Sequence, residues 1–315
     1  MTAEMTYRQL GPSGLTVSTV GLGCNNFGAR MADEDVPAVV EAAIDAGITL
    51  FDTADAYGNG GGSETLLGKA LGARRSEVII ATKFGADMQR SNGPDWGVRG
   101  SRRYIRLAVE ASLRRLGTDW IDLYQLHTPD PKTPIQETLA ALSALVSEGK
   151  VRYLGSSNLT GWQVVDADWT ARNSGLPSFI SAQNEYSWLA RSAEKELIPA
   201  LEHTGQSLLP YFPLARGLLT GKYRRGESAP LGTRLLRQSE VLEHADFDTV
   251  EALQSFADER GITMLHLAIG GLAAQPTVGS VIAGATSVDQ VRQNVAAGLW
   301  VPTAADLERL RDLTS

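Results

Sequence analysis

Four side chains that could together transfer a proton stand at or just after short apolar runs of this sequence. Asp52 lies near the end of the run ITLFDT, Tyr57 follows Asp52 by five residues, Lys83 ends VIIATK, and His127 ends IDLYQLH. A tyrosine hydroxyl is a weak acid at neutral pH, but a neighbouring ammonium group favours the phenolate and lowers its pKa. Lys83 can supply that charge, and Asp52 would keep a buried lysine protonated. A histidine can hydrogen-bond a carbonyl oxygen or assist the tyrosine.

Each of these residues also has a structural explanation when it is considered alone: a turn aspartate, a rim tyrosine, a snorkelling lysine at a strand end and a loop histidine. Only as a group do they indicate carbonyl reduction or alcohol oxidation. The chain has four histidines, His127, His203, His244 and His266, and none forms a close sequence pair with another or with Cys24. A zinc or iron site is therefore not expected, and hydride would come from an organic cofactor.

The elements that must position these residues alternate along the chain between strand-like and helix-like segments. Candidate strands cover 19–23, 48–53, 78–83, 121–127, 151–158, 179–186, 207–212 and 278–284. Strands that alternate with helices pair in parallel, and eight units without a linker favour a closed (β/α)8 TIM barrel over a doubly wound sheet. GLGCNNFG also lacks the G-x-G-x-x-G spacing of a dinucleotide-binding sheet. Consecutive strand ends of a barrel share one mouth, which would bring the four side chains together.

Two helices have clear boundaries in the sequence. SRRYIRLAVEASLRRLGT predicts a helix capped by Ser101 and ended at Gly117. TPIQETLAALSALVSEGK predicts another, with Pro134 in its first turn and Gly149 at its end. A β-hairpin is expected around LGPSGLTVS, ahead of the first barrel strand.

The stretch FDTADAYGNGGGSE connects the second strand to its helix. Glycines 58 and 60–62 would let the chain turn back from the mouth, and Ser63 is predicted to cap the next helix. Asp55 is assigned to a turn or a cap, with no catalytic role.

Two connections, residues 84–100 and 213–245, are longer than the rest. Each follows a strand, so in a barrel both would overhang the C-terminal mouth as substrate or cofactor loops. A disordered insertion is the alternative for each.

Composition narrows the class of partner. The net charge is -7 and charges of both signs are mixed, which predicts a small-molecule partner and neither nucleic acid nor membrane. No apolar run approaches the roughly 18 residues of a membrane span, and the N-terminus lacks the pattern of a signal peptide. The single cysteine, Cys24, fits a reducing compartment, so a cytoplasmic location is expected. No feature of the sequence predicts an oligomeric state.

Seven segments occur in an order that is typical of one family: GITLFDTADAYGNGGGSETLLGKAL, VIIATKFG, DLYQLHTPD, GKVRYLGSSNLT, AQNEYS, LARGLLTGKY and GATSVDQVRQN. Together they resemble an aldo-keto reductase over nearly the whole chain. LARGLLTGKY and GATSVDQVRQN place the resemblance in the branch of bacterial aldo/keto oxidoreductases and potassium-channel β-subunit-like proteins. The resemblance implies one barrel domain over residues 1–315 that binds NADP(H) in extended form.

The resemblance also implies a catalytic tetrad of Asp52, Tyr57, Lys83 and His127, all of which are present. Tyr57 would protonate the carbonyl oxygen of an aldehyde or ketone as hydride arrives, Lys83 and Asp52 would tune it, and His127 would orient the substrate or share the proton. The expected function is NADP(H)-dependent reduction of aldehydes and ketones to alcohols.

Cofactor-binding positions follow from the same resemblance. The carboxamide of the nicotinamide would be held by Ser157, Asn158 and Gln183, and its ring would stack on Tyr211. The loop over the pyrophosphate would comprise Phe212, Pro213, Leu214 and Gly217, with Leu219 and Lys222. The adenosine and its 2′-phosphate would be held by Gly284, Ala285, Thr286, Ser287, Gln290, Gln293 and Asn294.

Two positions depart from many relatives. GATSVDQ offers no lysine or arginine before Arg292 to bind a 2′-phosphate, so NADP(H) is favoured but NAD(H) remains an alternative. Phe212 stands where many relatives have serine, which we interpret as a packing change.

The mouth could be lined by Asn25, Phe27, Trp96, Trp188 and Arg216, an apolar set with few polar groups that suits aldehydes and ketones. Two rival functions stay open. One is a cofactor-binding sensor or regulatory module with low turnover, and the other is a Schiff-base lyase that uses Lys83.

Overall fold

The computed structural model describes residues 4–230, 233–237 and 239–315. An antiparallel hairpin of β1 (Tyr7–Gln9) and β2 (Thr16–Ser18) comes first. The barrel strands are β3 (Val20–Gly23), β4 (Leu50–Asp52), β5 (Ile79–Phe84), β6 (Ile121–Leu126), β7 (Val151–Ser157), β8 (Ser181–Glu185), β9 (Ser207–Tyr211) and β10 (Val281–Gly284). They pair in parallel in the order β10-β3-β4-β5-β6-β7-β8-β9.

Two backbone hydrogen bonds bring the ends of this sheet together. Leu208 N in β9 donates to Thr277 O at 2.7 Å, and Gly279 N donates to Leu208 O at 2.8 Å, just before β10. The eight parallel strands therefore form a nearly closed (β/α)8 TIM barrel, as the alternation of strands and helices predicts.

Helices surround the barrel. The α-helices are α1 (Val36–Asp45), α2 (Tyr57–Leu71), α3 (Arg102–Leu116), α4 (Ile135–Ser147), α5 (Gly161–Asn173), α6 (Leu197–Thr204), α7 (Ser239–Glu243), α8 (Phe247–Glu259), α9 (Gly271–Ala273), α10 (Val288–Gly298) and α11 (Ala304–Leu313). A π-helical segment, His266–Gly270, leads directly into α9. Short 3₁₀ segments cover Asp33–Asp35, Gly72–Glu77, Ser192–Glu194, Ala215–Thr220 and Arg234–Arg237. In the part of the chain that the structure describes, no helix combines the length and apolar character of a membrane span.

The predicted helix boundaries are confirmed for α3. Ser101 accepts a hydrogen bond from Tyr104 N, and Gly117 ends the helix in the left-handed region at φ 63°. Helix α4 begins directly after Pro134, and Gly149 follows its end at φ 74°.

The prediction for Ser63 is wrong. The right-handed helix does begin next to this residue, after the positive φ values of residues 58–61, but the Ser63 hydroxyl caps no amide. It donates to Cys24 O at 2.7 Å and is hydrogen-bonded to Thr53 Oγ1 at 2.8 Å. Ser63 therefore ties the start of α2 to the ends of two strands and caps no helix.

The hairpin β1–β2 covers the N-terminal end of the barrel. Leu10, Leu15 and Val17 are buried in the barrel interior, in one cluster with strand residues such as Leu50 and Leu209. Arg8 Nη1 donates to Val278 O at 2.7 Å, and Gly11 N donates to Ser207 Oγ at 2.8 Å. The opposite, C-terminal end carries the two long connections after β5 and β9. Residues 231, 232 and 238 of the second connection lie outside the described residues.

Candidate active site

The C-terminal mouth of the barrel holds a cleft of about 530 Å³. Asp52 is the last residue of β4, Lys83 is the penultimate residue of β5, and His127 follows β6. Tyr57 is the first residue of α2, and residues 58–61 directly after it form a turn with positive φ. Asp52, Tyr57 and His127 line the cleft, and Lys83 is completely buried beneath it. The structure therefore brings the four predicted catalytic side chains together.

Lys83 is the centre of this group. Its Nζ atom donates to Asp52 Oδ2 at 2.7 Å, to Thr53 O at 2.8 Å and to the hydroxyl of Tyr57 at 3.4 Å. Burial lowers the pKa of Lys83, but the charges of Asp52 and of ionised Tyr57 more than offset it, so its pKa lies above the ordinary value. The lysine is therefore an ammonium group at neutral pH.

Tyr57 is half-buried, and the loss of water around its hydroxyl raises its pKa above the ordinary value of 10.0, although Lys83 acts in the opposite direction. Lys83 thus acts on this pKa in the direction that the sequence predicts, but removal of water from the ring has the larger effect. The Lys83 Nζ atom also lies 4.8 Å from the centre of the Tyr57 ring.

His127 is neutral. Burial and, secondarily, the charge of Lys83 lower its pKa to about 3. Its ring meets that of Tyr57 edge-on with 5.7 Å between centroids, and its buried Nδ1 has no hydrogen-bond partner among the described residues. An uncharged imidazole at this position can form a hydrogen bond with a ligand without repelling the Lys83 ammonium group.

Sequence reasoning missed the groups that hold Asp52. Gln183 Nε2 donates to Asp52 Oδ1 at 2.7 Å, and Gln125 Nε2 donates to the same oxygen at 3.4 Å. Gln183 was predicted only as a cofactor ligand, and Gln125 was not predicted at all. Alternation along β6 could have placed Gln125 in the barrel interior, because it lies two residues before His127.

Twelve of the predicted cofactor positions line the same cleft: Ser157, Asn158, Gln183, Tyr211, Phe212, Pro213, Leu214, Gly217, Lys222, Gly284, Thr286 and Gln290. Five do not. Leu219 and Ala285 are buried, Asn294 is buried with its Nδ2 donating to Gly284 O at 3.3 Å, and Ser287 and Gln293 are exposed on the surface. Ser287 caps α10 by accepting from Gln290 N.

A hydrogen-bonded chain fixes the polar wall of the cleft. Tyr211 donates its hydroxyl to Asn158 Oδ1 at 2.9 Å, while Asn158 Nδ2 donates to His127 O at 2.9 Å. Ser157 Oγ donates to Gln183 O at 2.8 Å. Asn158 adopts a left-handed backbone at φ 59°, a conformation that asparagine tolerates better than most residues.

The cleft also contains cations that could bind an anionic ligand. Arg30, Arg216 and Lys222 line it, and within the described residues none of the three forms an ion pair. Arg30 was not predicted, and it belongs to the connection after β3. Arg292 lies outside the cleft, exposed and 3.7 Å from Asp289. These three side chains therefore contribute positive charge to the cleft wall.

The predicted substrate residues are only partly in the cleft. Asn25 and Arg216 line it. The prediction that Phe27 and Trp188 line the mouth is wrong, because both are buried in the core. There Trp188 Nε1 donates to Leu267 O at 2.7 Å. Trp96 is 69% exposed, packs against Arg103 and is absent from the cleft wall. Residues 84–100, all of which the structure describes, contribute nothing to that wall.

The family model for the aldo/keto reductase family matches residues 19–314 of this chain. The chain is an aldo/keto reductase. An uncharacterized oxidoreductase of Bacillus subtilis, YrpG, is 36% identical over 98% of this chain and 95% of its own length. A probable voltage-gated potassium channel subunit beta of Arabidopsis thaliana is 35% identical over 95% and 92%. L-glyceraldehyde 3-phosphate reductase of Escherichia coli is 35% identical over 93% and 88%.

These relatives confirm both the family and the branch that the sequence resembles. Aldo/keto reductases are oxidoreductases that use nicotinamide cofactors and act on small carbonyl compounds. The general activity of this aldo/keto reductase is therefore that of an oxidoreductase.

Proposed function

We propose that this aldo/keto reductase reduces aldehydes and ketones to alcohols with NADP(H), and that Tyr57 is the general acid. The observation that carries the proposal is the 3.4 Å hydrogen bond from the Lys83 ammonium to the Tyr57 hydroxyl at the floor of the cleft. A tyrosine beside a permanent cation is a suitable general acid, because the cation stabilises the phenolate that forms when the proton is transferred.

Tyr57 donates its phenolic proton to the carbonyl oxygen of the substrate. The phenolate that remains is stabilised by Lys83, whose charge Asp52 maintains through their 2.7 Å ion pair. The neutral ring of His127 offers a hydrogen bond to the same carbonyl oxygen and orients it towards Tyr57. The buried position of Lys83 keeps water from weakening its interaction with the phenolate.

The cleft residues fit a dinucleotide. The amide side chains of Asn158 and Gln183 suit a carboxamide, and the ring of Tyr211 offers a stacking face. Arg216 and Gly217 adopt left-handed backbone conformations, at φ 59° and 116°, in the loop assigned to the pyrophosphate. Such turns direct backbone N–H groups towards an anion. When bound, the reduced nicotinamide supplies the hydride.

Preference for NADP(H) over NAD(H) is part of this proposal. A 2′-phosphate needs hydrogen-bond donors or cations. Besides Lys222, which the resemblance assigns to the pyrophosphate loop, the cleft offers Arg30, Thr286 and Gln290. The Gln290 carboxamide oxygen already accepts from Thr286 N at 2.8 Å, which leaves the Gln290 NH2 group available as a donor.

The test is a titration of the protein with NADPH and NADH, followed by quenching of tryptophan fluorescence, and then turnover on a panel of aldehydes and ketones. We expect tighter binding of NADPH and oxidation of NADPH with at least one carbonyl compound. Equal affinity for the two cofactors would contradict the NADP(H) preference, and absence of turnover on the whole panel would contradict the reductase activity.

A second candidate function is a cofactor-binding regulatory module with low turnover. The 35% identity to a probable potassium channel subunit beta favours this candidate, whereas the complete tetrad favours an enzyme. Tight NADPH binding without turnover would identify the regulatory module. A Schiff-base lyase is disfavoured because Lys83 is a buried ammonium paired with Asp52, and an amine must be deprotonated to attack a carbonyl group.

A further inference from the structure

A cluster of buried polar side chains lies outside the cleft, beside residues 55–61, the turn that carries Tyr57. It consists of Asp55 on that turn, Glu64 on α2, Asn92 on the 84–100 loop, and Tyr104 and Arg115 on α3, and we call it the Asp55 cluster. Asp55 and Glu64 are completely buried, and Asn92 is 6% exposed. Burial of this many polar groups is costly unless they are hydrogen-bonded to one another.

Asn92 joins the members of the Asp55 cluster. Its Nδ2 donates to Asp55 Oδ2 at 2.9 Å, and its Oδ1 accepts from Arg115 Nη1 at 3.0 Å. Arg115 Nε donates to Glu64 Oε2 at 2.7 Å, and Thr82 Oγ1 donates to Glu64 Oε1 at 2.6 Å. The hydrogen bonds thus run from the turn that carries Tyr57 to the residue that precedes Lys83.

The turn itself has little regular structure to hold it. Residues 58–61 all have positive φ, and a side chain at Gly61 would come within 2.3 Å of Arg115 Cδ, so Arg115 packs directly on the turn. The Asp55 amide donates to Lys83 O at 3.2 Å. The Asp55 cluster is therefore a buried polar contact between this turn and the neighbouring 84–100 loop and α3.

We propose that Asn92 and Asp55 are positioning residues that hold the Tyr57 hydroxyl at the Lys83 ammonium, and that the 84–100 loop is a brace for this purpose. This inference rests on the function proposed above. It differs from the role that the loop's length predicts, because no residue of the loop lines the cleft.

Because the Asp55 cluster contains two carboxyl groups, its ability to keep the Tyr57 turn closed should depend on pH. The Arg115 guanidinium pairs directly with Glu64, whereas Asp55 is linked to it only through Asn92. The hydroxyls of Tyr104 and Tyr124 also lie near Asp55. Burial and the charge of Glu64 raise the pKa of Asp55 to about 8. Asp55 is therefore neutral at pH 7 while the turn is closed. Because an exposed Asp55 would have its ordinary pKa, opening of the turn becomes easier as pH rises towards about 8, where ionised Asp55 also repels Glu64.

The first test replaces Asn92. Asn92→Ala leaves Asp55 and Arg115 without their shared partner, so Tyr57 loses its fixed position. We expect kcat to fall by about 10- to 100-fold, while KM and the NADPH dissociation constant from fluorescence stay at wild-type values. Hydrogen exchange of the backbone at 53–62 should become faster, because the turn opens more often.

The second test replaces Asp55 with asparagine, which has nearly the same shape but no carboxyl group that can lose a proton. We expect kcat of the wild-type protein to fall as pH rises through about 8. Asp55→Asn should retain wild-type kcat at pH 7 and lose this decline, whereas Asp55→Ala should lose kcat at all pH values. Asp33→Asn, which changes an exposed aspartate outside the cluster, is the matched control and should show the wild-type profile.

Wild-type kcat and wild-type hydrogen exchange in Asn92→Ala would overturn the proposal. So would an unchanged decline near pH 8 in Asp55→Asn. A wild-type protein without turnover on any carbonyl compound would contradict the proposed function, and hydrogen exchange at 53–62 in Asn92→Ala and at pH 7 and 9 in Asp55→Asn would then decide the positioning role alone.

Discussion

Lys83 Nζ and Asp52 Oδ2 lie 2.7 Å apart at the base of the cleft, and the two side chains are 0% and 4% exposed. An ion pair so far from water is held by its own geometry and by neighbouring hydrogen bonds, since desolvation of both charges opposes it. Here Thr53 O and the amide of Gln183 provide those hydrogen bonds. The pair therefore contributes to the stability of the fold as well as to the proposed chemistry.

Asp52→Asn should destabilise the protein strongly. The Lys83 ammonium would remain buried without a carboxylate, so the free energy of unfolding should decrease by about 3–5 kcal/mol. Urea denaturation at pH 7 measures this change. The control Asp45→Asn removes an exposed partner of Arg74 and should cost at most about 1 kcal/mol. Equal effects of the two substitutions would contradict the structural role of the pair.

Tyr57→Phe should remove the proton donor and leave the cleft otherwise intact. We expect kcat for carbonyl reduction to fall by about 10²- to 10⁴-fold, with the NADPH dissociation constant unchanged in fluorescence titration. Tyr7→Phe, which removes an exposed hydroxyl from the hairpin at the other end of the barrel, is the control. Turnover at the wild-type rate in Tyr57→Phe would exclude Tyr57 as the general acid.

His127 should stay uncharged throughout the neutral range. Its pKa of about 3 predicts that the Cε1 carbon resonance of the ring shows no titration between pH 5 and 7 in the folded protein. In the protein unfolded by urea the same ring should titrate near about 6.5. Because only the unfolded state binds this proton between those two pKa values, the contribution of His127 to stability is present above about pH 6.5 and is lost as pH falls towards 3. A ring titration near pH 6.5 in the folded protein would contradict the buried, neutral state.

Lys222→Ala should weaken binding of NADPH. A charge-assisted hydrogen bond to a phosphate is worth about 1.5–3 kcal/mol, so we expect the dissociation constant to rise by about 10- to 100-fold. The loss should shrink at high salt, because ions screen the contribution of Lys222 in the wild-type protein. Arg292→Ala removes an exposed cation outside the cleft and should bind NADPH as the wild type does. Similar losses in both variants would show that Lys222 acts only through net charge.

The barrel and the meeting of Asp52, Tyr57, Lys83 and His127 could be predicted from the sequence, because both follow from short local patterns that recur along the chain. Most of the eight strands lie in short β-branched or apolar runs, and Asp52, Lys83 and His127 each fall at or next to the end of such a run. Parallel topology then requires that these ends meet at one mouth. The hairpin and the caps of α3 follow from turn and capping residues in the same way.

Other features depend on contacts that the sequence does not encode locally. The hydrogen bonds of Gln183 and Gln125 to Asp52 join residues that are 131 and 73 positions apart. Trp188 is buried against the π-helical segment and α9, and Phe27 is buried in the main core. An aromatic residue near a strand end suits a rim and a core equally well, so the sequence alone could not distinguish these positions. Asp55 resembled an ordinary turn residue because Asn92 and Arg115, which make it a buried acid, come from remote segments.

The hairpin at the N-terminal end has a consequence for the order of events in the cleft. Leu10, Leu15 and Val17 fill the barrel from below, so a molecule that reaches the Tyr57 hydroxyl must enter and leave through the C-terminal mouth. Two ligands that share this single entrance cannot exchange independently when one lies beneath the other. If the proposed cofactor and substrate bind one above the other in this cleft, the deeper one has to arrive first and depart last, so the sealed end predicts ordered, sequential kinetics.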